Sequence, residues 1–324
     1  MAINSGISSD RSILNIDRET VNAKLGMDAC IAIMRQAQID QHSQTAHCPA
    51  RNFVQLANDC QLLIMPAAST EIVGTKILTL FPTNTSGDTP VIQGVIVLFD
   101  SNTGSPLATI DAASVTAIRT AAASAAATDA LSQQNAKSLA IIGSGVQAKS
   151  HIEAMMQVRA IETVRIYSRN SNSASQLAKE TRALFGIECD VETSPQKAAA
   201  GAEIICTVTS SRDPVIYAEW LAPGCHLNLV GAHSPDMREV DTATIQRASV
   251  FLEDTEMVLK EAGDIAIPIA EGELKLDQIK GDIAEVYLGN KIGRSSRSEI
   301  TLYKSLGNAI QDITAAHALY KSVT

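Results

Sequence analysis

The chain has 324 residues, of which 45% are hydrophobic and 3% aromatic, and it carries a formal net charge of −9. This length allows two domains of ordinary size. No apolar run approaches the roughly 20 residues that a bilayer crossing needs, and no basic block offers a nucleic-acid surface, so we expect neither a membrane nor a nucleic-acid partner. Residues 1–12 are polar and lack the apolar segment of a secretory signal, which favours a cytoplasmic location.

The cysteines indicate neither a disulfide framework nor a metal site. The six of them stand at positions 30, 48, 60, 189, 206 and 225, without CxxC or CxxH spacing. Several lie in apolar runs, as Cys206 does after two isoleucines. We interpret them as buried thiols and expect no bound metal.

The first 110 residues predict a β-rich α+β unit. A helix is expected near residues 27–41, and strands are expected at 52–56, 62–67, 72–81 and 91–99, with turn residues between them. No helix of crossover length separates these strands, which favours antiparallel pairing. The alanine-rich segment 111–129 then predicts a closely packed helix that connects this unit to the next.

Three cations in the first half of the chain lack a local counterion. Arg119 is the only charged residue between Asp111 and Asp129, Lys76 lies in the apolar run 72–81, and Arg51 heads another apolar run. A cation in an apolar setting needs an anion, which is either a distant side chain or a ligand carboxylate or phosphate. The alternatives for each are a snorkelling surface cation or an internal salt bridge. If the three converge, they suit a small anionic substrate, because a guanidinium binds a carboxylate with two parallel hydrogen bonds.

From about residue 137 onward, strand-like and helical runs alternate. Strands are predicted at 138–142, 163–167, 188–191, 203–208, 225–230 and 249–253, and helices at 146–158, 173–185, 195–201, 242–247 and from about 256. This rhythm is typical of a Rossmann-type doubly wound parallel sheet. The tail predicts a strand at 299–303, which has no obvious place in that sheet, and a helix at 307–321. We expect this last helix to pack on the N-terminal unit, so that the parallel sheet is an insertion in the β-rich domain.

The segment 138–156 contains the motif GSGVQA between a predicted buried strand and a predicted helix. Its glycines allow the backbone to approach a pyrophosphate, and the start of the helix directs unpaired N–H groups towards it. The motif could equally be only a tight turn, but the strand and the helix flank it at the right spacing. The candidate cofactor-binding residues here are Gly143, Ser144, Gly145, Val146 and Gln147.

The end of the next predicted strand indicates which dinucleotide is bound. An Asp or Glu at this place would accept a hydrogen bond from a ribose 2′-hydroxyl and favour NAD. The chain instead has Ser168, Arg169 and Asn170, which suit a 2′-phosphate. We therefore predict NADPH as the cofactor, with NADH as the alternative.

Two further segments follow predicted strands and so fall at the edge where open α/β sheets bind ligands. Thr207, Val208 and Thr209 could line the nicotinamide side of the site, or they could be ordinary turn residues. His233 could exchange a proton near neutral pH. The alternative for His233 is a loop histidine that only binds backbone.

Five segments, in this order over nearly the whole chain, resemble the ornithine cyclodeaminase and mu-crystallin family: AIRTAAASAAATDAL, LAIIGSGVQA, VRIYSRN, LNLVGAHSPDMREVD and EITLYKSLGNAIQD. The resemblance implies a homodimer with a β-rich substrate and dimerisation domain, residues 1–118 and 304–324, and an inserted NADP(H)-binding Rossmann domain, residues 119–303. It also implies that Arg51, Lys76 and Arg119 bind a substrate carboxylate. Gly307, in the last of these segments, is a further candidate cofactor-binding residue.

One position departs from the cyclodeaminases of this family. They carry an acidic residue where this chain has His233, and they recycle a tightly held NAD, whereas Arg169 favours a consumed NADPH. Both departures favour a ketimine reductase that converts the cyclic imino acid Δ1-pyrroline-2-carboxylate to L-proline, and also its six-membered homologue to L-pipecolate. Lys76, His233 or water would give the proton to the imine nitrogen. An ornithine cyclodeaminase, an alanine dehydrogenase and a non-catalytic NADPH-dependent binding protein remain the alternatives.

Overall fold

The computed structural model describes residues 12–84 and 89–324. Residues 1–11 and 85–88 of the predicted first domain lie outside these ranges, so the cytoplasmic location, which was inferred from the N-terminal residues, stays a prediction. The described residues form two sheets with helices packed on them, one sheet mixed and the other parallel throughout. The predicted α/β class with a Rossmann-type parallel sheet is confirmed.

Strands and helices are numbered in chain order. The strands are β1 (Leu14–Ile16), β2 (Asn52–Gln55), β3 (Gln61–Ala68), β4 (Ile72–Leu80), β5 (Ile92–Asp100), β6 (Pro106–Asp111), β7 (Ser138–Ile142), β8 (Thr163–Tyr167), β9 (Glu188–Val191), β10 (Ile204–Thr207), β11 (His226–Leu229), β12 (Ser249–Leu252), β13 (Ile279–Asp282) and β14 (Thr301–Lys304). The helices are α1 (Arg18–Lys24), α2 (Met27–His42), α3 (Ala112–Leu131), α4 (Val146–Val158), α5 (Ser171–Phe185), α6 (Pro195–Ala199), α7 (Thr242–Arg247), α8 (Thr255–Glu261), α9 (Gly263–Ala270), α10 (Ile283–Tyr287) and α11 (Ala309–Val323).

The first sheet has the strand order β1-β6-β5-β4-β3-β2. Strands β2 to β6 pair antiparallel, as predicted for the segments up to residue 99, and β1 adds to β6 in parallel. The alternation of side chains gives this sheet two different faces. Ile72, Ile96 and Leu98 are buried beneath the helices, whereas Val73 and Val95 on the opposite face are 37% and 42% exposed.

Helix α3 joins the two sheets and packs against helices of both. Its N-terminus is capped by Asp111, whose carboxylate accepts a hydrogen bond from the Ser114 N–H at 2.8 Å. Its many alanines have small side chains, which allow α2, α4 and α11 to pack closely against it. The helix predicted as a connector is therefore a buried element of the core.

The second sheet has the strand order β13-β12-β14-β11-β10-β7-β8-β9, with every pair parallel. The chain runs outward from β7 in one direction through β8 and β9, and in the other through β10 and β11. The sheet therefore has a point of reversed strand order between β7 and β10, where such sheets bind ligands.

The C-terminal strand lies in the middle of this sheet, which corrects the expectation that it has no place there. β14 pairs with β11 on one side and β12 on the other, and all four of its residues are buried. Sequence periodicity identifies a buried strand, but its neighbours in a parallel sheet depend on crossovers far away along the chain. The helix that follows, α11, packs on α2, α3 and strands β3 to β5 of the first sheet.

Three general features of the described ranges bear on function. None of their helices combines the length and the apolar composition that a bilayer crossing requires. They contain no group of three or more His, Cys, Asp or Glu side chains arranged to hold a metal ion. The six cysteines are free thiols, and five of them are buried.

Candidate active site

A cavity of about 500 Å³ opens at the point of reversed strand order in the parallel sheet. The residues that follow β7, β8 and β10 line it together, because the carboxyl ends of parallel strands meet at one edge. Seven of the candidate cofactor-binding residues lie in this lining: Gly143, Ser144, Gly145, Ser168, Arg169, Val208 and Thr209. Trp220, the only tryptophan of the chain, lines the same cavity.

The glycine turn after β7 fits a pyrophosphate. Gly143 has φ of +125°, and a Cβ at this position would lie 2.8 Å from the carbonyl oxygen of Val208. A Cβ on Gly145 would meet no atom within 4 Å, so the backbone there is open to a ligand. Gly145 also forms the N-cap of α4 without a side-chain hydrogen bond, which leaves the first N–H groups of the helix for an anion.

The tip of β8 presents one charged side chain to this cavity. The Arg169 guanidinium is exposed and has no hydrogen-bond or ion-pair partner within residues 12–84 and 89–324. Ser168 accepts a hydrogen bond from the Ser144 hydroxyl at 2.8 Å. Asn170 caps α5 by accepting from the Ser173 N–H at 3.1 Å, so a local structural role accounts for its side chain.

The Glu239 carboxylate, buried beneath the cavity, fixes the ends of β10 and β11. It accepts hydrogen bonds at 2.7 Å from the Thr207 hydroxyl, from the N–H and the hydroxyl of Thr209, and from the Gly231 N–H. Burial and the nearby Asp264 carboxylate raise the pKa of Glu239, while Lys304 opposes this. The Thr207 hydroxyl thus donates its hydrogen bond to a buried side chain of the protein and not to a ligand in the cavity.

Two candidates on α4 have different surroundings. Val146, the first residue of the helix, is 70% exposed. The Gln147 side-chain amide donates a hydrogen bond of 3.5 Å to the carbonyl of Thr116 on α3. Gln147 therefore links the glycine turn to the helix that carries Arg119.

Lys76 and Arg119 are brought together by an acidic residue that the sequence reasoning did not single out. Asp312, on α11, lies 2.5 Å from Lys76 Nζ through Oδ2 and accepts a hydrogen bond of 2.8 Å from Arg119 Nε through Oδ1. The three side chains are at most 4% exposed. The distant-anion alternative for these two cations is therefore realised by a side chain of the same protein.

The hydrogen bonds continue from Arg119 to the end of β12. Arg119 Nη1 donates to Gln311 Oε1 at 3.0 Å, and the Gln311 amide donates in turn to Glu253. The other oxygen of Glu253 accepts from the N–H groups of Leu306 and Gly307, both at 2.6 Å. A polar chain thus runs from the first sheet to the second.

Gly307 lies against the guanidinium of Arg119 rather than in the cavity at β7. A Cβ on Gly307 would come within 2.2 Å of Arg119 Nη1, and its φ of +75° also disfavours a side chain. Its carbonyl accepts a hydrogen bond of 3.3 Å from Arg51 Nη2. Gly307 therefore connects two of the candidate substrate-binding arginines.

Arg51 lines a second cavity, of about 280 Å³, together with Gly307 and Met257. Its Nη2 lies 2.8 Å from a carboxylate oxygen of Glu261 at the end of α8. The cavity is bounded by residues of the first sheet's unit and of α8, so it lies where the two sheets' helices and loops meet.

Burial and neighbouring charges act in opposite directions on Lys76. Burial is the largest influence and lowers its pKa, the Asp312 carboxylate raises it, and Arg119 and Arg51 lower it again, for a result of about 8. Lys76 is therefore close to the point at which it loses its proton near neutral pH.

His233 lies in the loop after β11, outside the linings of both cavities. Its Nδ1 donates a hydrogen bond of 2.8 Å to the carbonyl of Gly231, which is the backbone contact foreseen as the alternative. Partial shielding from water lowers its pKa, and the charges of Lys304 and Arg51 add to this effect. Neutral His233 with a proton on Nδ1 has an accepting Nε2.

Asp312, Glu253 and Glu239 are the site residues that sequence reasoning missed. A signal existed for Asp312, since it is the only acidic residue of α11 and stands between the buried Ile310 and Ile313. The rule that drew attention to Arg119, a charge in an apolar helix, applies to it equally.

The chain is similar to known proteins over nearly its whole length. The sequence model described as ornithine cyclodeaminase/mu-crystallin family matches residues 14–324. The chain is 34% identical over 315 residues to a Δ1-pyrroline-2-carboxylate reductase of Colwellia psychrerythraea, which covers 95% of this chain and 98% of that protein. The structure of the Δ1-pyrroline-2-carboxylate reductase of Thermococcus litoralis, in complex with NADH and L-proline, matches with a TM-score of 0.93 and 33% identity, over 96% of this chain and 97% of that one. An archaeal alanine dehydrogenase dimer with bound NAD matches with a TM-score of 0.91 and 29% identity, over 96% of each chain.

The contact between Gly307 and Arg119 predicts an unusually costly alanine substitution. Gly272→Ala is the matched control, because Gly272 has nearly the same φ, +76°, but nothing within 4 Å of the added Cβ. Gly272→Ala should lower the free energy of unfolding by about 1–2 kcal/mol through backbone strain. Gly307→Ala should cost about 1–3 kcal/mol more, the scale of overpacking. Urea unfolding of both variants measures the difference, and equal losses would contradict the placement of Arg119.

Proposed function

The chain belongs to the ornithine cyclodeaminase/mu-crystallin family, and on this premise we propose that it reduces the cyclic imine Δ1-pyrroline-2-carboxylate to L-proline. We include the six-membered homologue, Δ1-piperideine-2-carboxylate, as a second substrate that yields L-pipecolate. The observation that carries the proposal is the buried pair of cations, Lys76 and Arg119, which share a single carboxylate.

The charges around Asp312 leave room for an anion. Lys76 and Arg119 carry two positive charges against one negative charge of Asp312, and all three side chains are buried. The next carboxylate, Glu253, is reached only through Gln311 and is already bound to backbone N–H groups. Among the described residues, Nη2 of Arg119 has no hydrogen-bond partner. A substrate carboxylate would supply the missing charge and acceptor.

The reaction adds a hydride to the imine carbon and a proton to the imine nitrogen, which gives a secondary amine. A reduced nicotinamide dinucleotide, when bound, supplies the hydride. Arg119 and Arg51 bind the carboxylate of the substrate and so fix the position of the imine carbon. Much of the rate enhancement then comes from orientation.

Of the three candidate proton donors, Lys76, His233 and water, we propose Lys76. With a pKa of about 8 it is mostly protonated at neutral pH, yet it releases a proton readily, as an efficient general acid does. His233 has a lowered pKa, and its Nδ1–H donates a hydrogen bond to the Gly231 carbonyl, so its other ring nitrogen accepts rather than donates. We therefore assign the proton transfer to Lys76.

We propose NADPH as the preferred cofactor. The support is Arg169, whose guanidinium lines the cavity beside Ser168 and has no partner in the described part of the chain. The Thermococcus litoralis relative was solved with NADH, so the proposed preference for the phosphorylated dinucleotide rests on this chain's own Arg169. A guanidinium recognises a phosphate with parallel hydrogen bonds.

We also propose that the protein is a homodimer formed through the open face of its first sheet. Ile64, Ile77 and Val95 lie on this face of β3, β4 and β5, where register places them side by side, and Val54 lies on the same face of β2 opposite Leu62. A continuous apolar face of this kind is typical of a subunit interface. The archaeal relative, which has the same fold, is a dimer.

Alanine dehydrogenation is the second candidate function, because the archaeal relative matches over 96% of this chain. In the reductive direction this reaction also reduces the C=N carbon of an imine that carries a carboxylate, but that imine forms from pyruvate and ammonia. The same cation cluster would bind it. Substrate comparison separates the two activities.

The proposed reduction predicts that reduced-nicotinamide absorbance falls when the protein, NADPH and Δ1-pyrroline-2-carboxylate are mixed, and that L-proline accumulates in equal amount. Pyruvate with ammonia, and ornithine with the oxidised dinucleotide, should react far more slowly. In Lys76→Met the rate should fall about 100-fold or more, because the proton donor is lost. No absorbance change with the cyclic imine would refute the proposal, and an unimpaired Lys76→Met would refute only the donor.

The cofactor preference predicts that Arg169→Ala weakens NADPH binding about tenfold to 100-fold, the value of a charge-assisted hydrogen bond. NADH binding should stay nearly unchanged. Quenching of Trp220 fluorescence measures both, since this tryptophan lines the cavity. Arg165→Ala is the control, because it removes the same charge from β8 outside that cavity. Equal weakening of both dinucleotides would mean that Arg169 does not read the 2′-phosphate.

The proposed interface predicts that the protein sediments with twice the mass of one chain. Val95→Glu should shift it towards monomer, because a charge on the apolar face is costly to bury. Leu184→Glu changes an equally apolar but 67% exposed residue on α5 and should leave the mass unchanged. Sedimentation equilibrium distinguishes these outcomes, and a dimeric Val95→Glu would place the interface elsewhere.

A further inference from the structure

We propose that Asp312 is a positioning residue of the active site, whose negative charge keeps Lys76 protonated and whose hydrogen bond fixes the guanidinium of Arg119. This inference rests on the proposed function, because it concerns the residues that would bind and protonate the imine. It adds a residue on the last helix, which is distant along the sequence from the glycine motif and from the loop of His233.

The geometry assigns both oxygens of Asp312. Oδ2 lies 2.5 Å from Lys76 Nζ, and Oδ1 accepts from Arg119 Nε at 2.8 Å. Asp312 is fully buried, and α11 brings no other acidic side chain. A carboxylate held between a lysine and an arginine fixes the distance between them, which two like charges would otherwise increase.

The remaining groups near Lys76 oppose its charge or are neutral. Arg119 on α3 and Arg51 before β2 are positive, and the Thr116 hydroxyl on α3 lies 3.5 Å from Nζ. The acids beyond them, Glu253 and Glu261, pair with other partners. The nearby thiols of Cys30 and Cys48 have a raised pKa because they are buried, so they bring no negative charge at neutral pH.

Asp312 is therefore the acid in direct contact with Lys76 in the described part of the chain. Burial, Arg119 and Arg51 all lower the pKa of Lys76, and the Asp312 carboxylate is what holds it near 8. Without that carboxylate the pKa of Lys76 would fall further, so a smaller fraction of Lys76 would be protonated at neutral pH. That smaller fraction would limit both its binding of a carboxylate as a cation and its donation of a proton.

The test is Asp312→Asn, which keeps the shape and removes the charge. In the wild type kcat/KM should fall above about pH 8, as Lys76 loses its proton. In Asp312→Asn this alkaline limb should move to lower pH by about one unit or more, the effect of removing an adjacent opposite charge. The deficit of the variant should therefore be smaller at pH 6 than at pH 8. A deficit that is the same at every pH would overturn the proposal and leave Asp312 a structural residue.

Two further variants separate charge from packing. Asp264→Asn is the matched control, since Asp264 is also fully buried and pairs with a buried lysine, Lys304, at 3.2 Å. It should lower stability without moving the alkaline limb. Asp312→Glu keeps the charge, so its limb should stay in place while KM rises, and this variant carries the test if Asp312→Asn does not fold. A moved limb in Asp312→Glu would overturn the proposal.

A measurement without substrate distinguishes failure of this inference from failure of the proposed function. In protein labelled with ¹³C at lysine Cε, the signal of Lys76 is assigned by its absence in Lys76→Arg. Its titration should move to lower pH in Asp312→Asn. If the wild type does not reduce the imine but the titration moves, the function is wrong and the positioning role stands. If the imine is reduced and the titration does not move, only the positioning role is wrong.

Discussion

The burial of Lys76 and Arg119 is the constraint on which the arrangement of the site depends. Two positive charges that are almost fully removed from water are tolerated only with a well-placed counterion, and the Asp312 carboxylate supplies it. Because Asp312 belongs to α11, this last helix must pack on the first sheet if Lys76 of β4 and Arg119 of α3 are to stay charged and buried. The packing of the C-terminal helix against the first sheet is therefore also what neutralises the buried charges of the site.

The position of the site follows from how the two sheets share elements. Helix α3 packs against α2, α4 and α11. Its Arg119 donates a hydrogen bond to Asp312 of α11, and its Thr116 carbonyl accepts one from Gln147 beside the glycine turn. On the side of the parallel sheet, Glu239 fixes the ends of β10 and β11 beneath the cavity. Each half of the site is thus held by a buried carboxylate, and Gln311 and Glu253 join the halves through hydrogen bonds.

The sequence predicted what local pattern determines and missed what depends on distant neighbours. β7, the glycine turn, α4 and β8 are contiguous, so periodicity and motif spacing place them correctly. For Arg119 the same reasoning predicted that an anion is needed, but that anion is 193 residues away. β14 was recognised as a strand without a place in the sheet, because its neighbours are set by crossovers. β1 and β6 were missed because the first is only three residues long and the second merges with the following helix.

The segment that contains β14 and α11 also affects how the chain can acquire its structure during synthesis. Before residues 301–323 emerge from the ribosome, the facing edges of β11 and β12 lack their common partner, and the inner face of the first sheet lacks a covering helix. Unpaired edges and uncovered apolar faces are sites of aggregation. Neither sheet is therefore complete before residues 301–323 have been synthesised. We expect the nascent chain to depend most on chaperones just before this segment emerges.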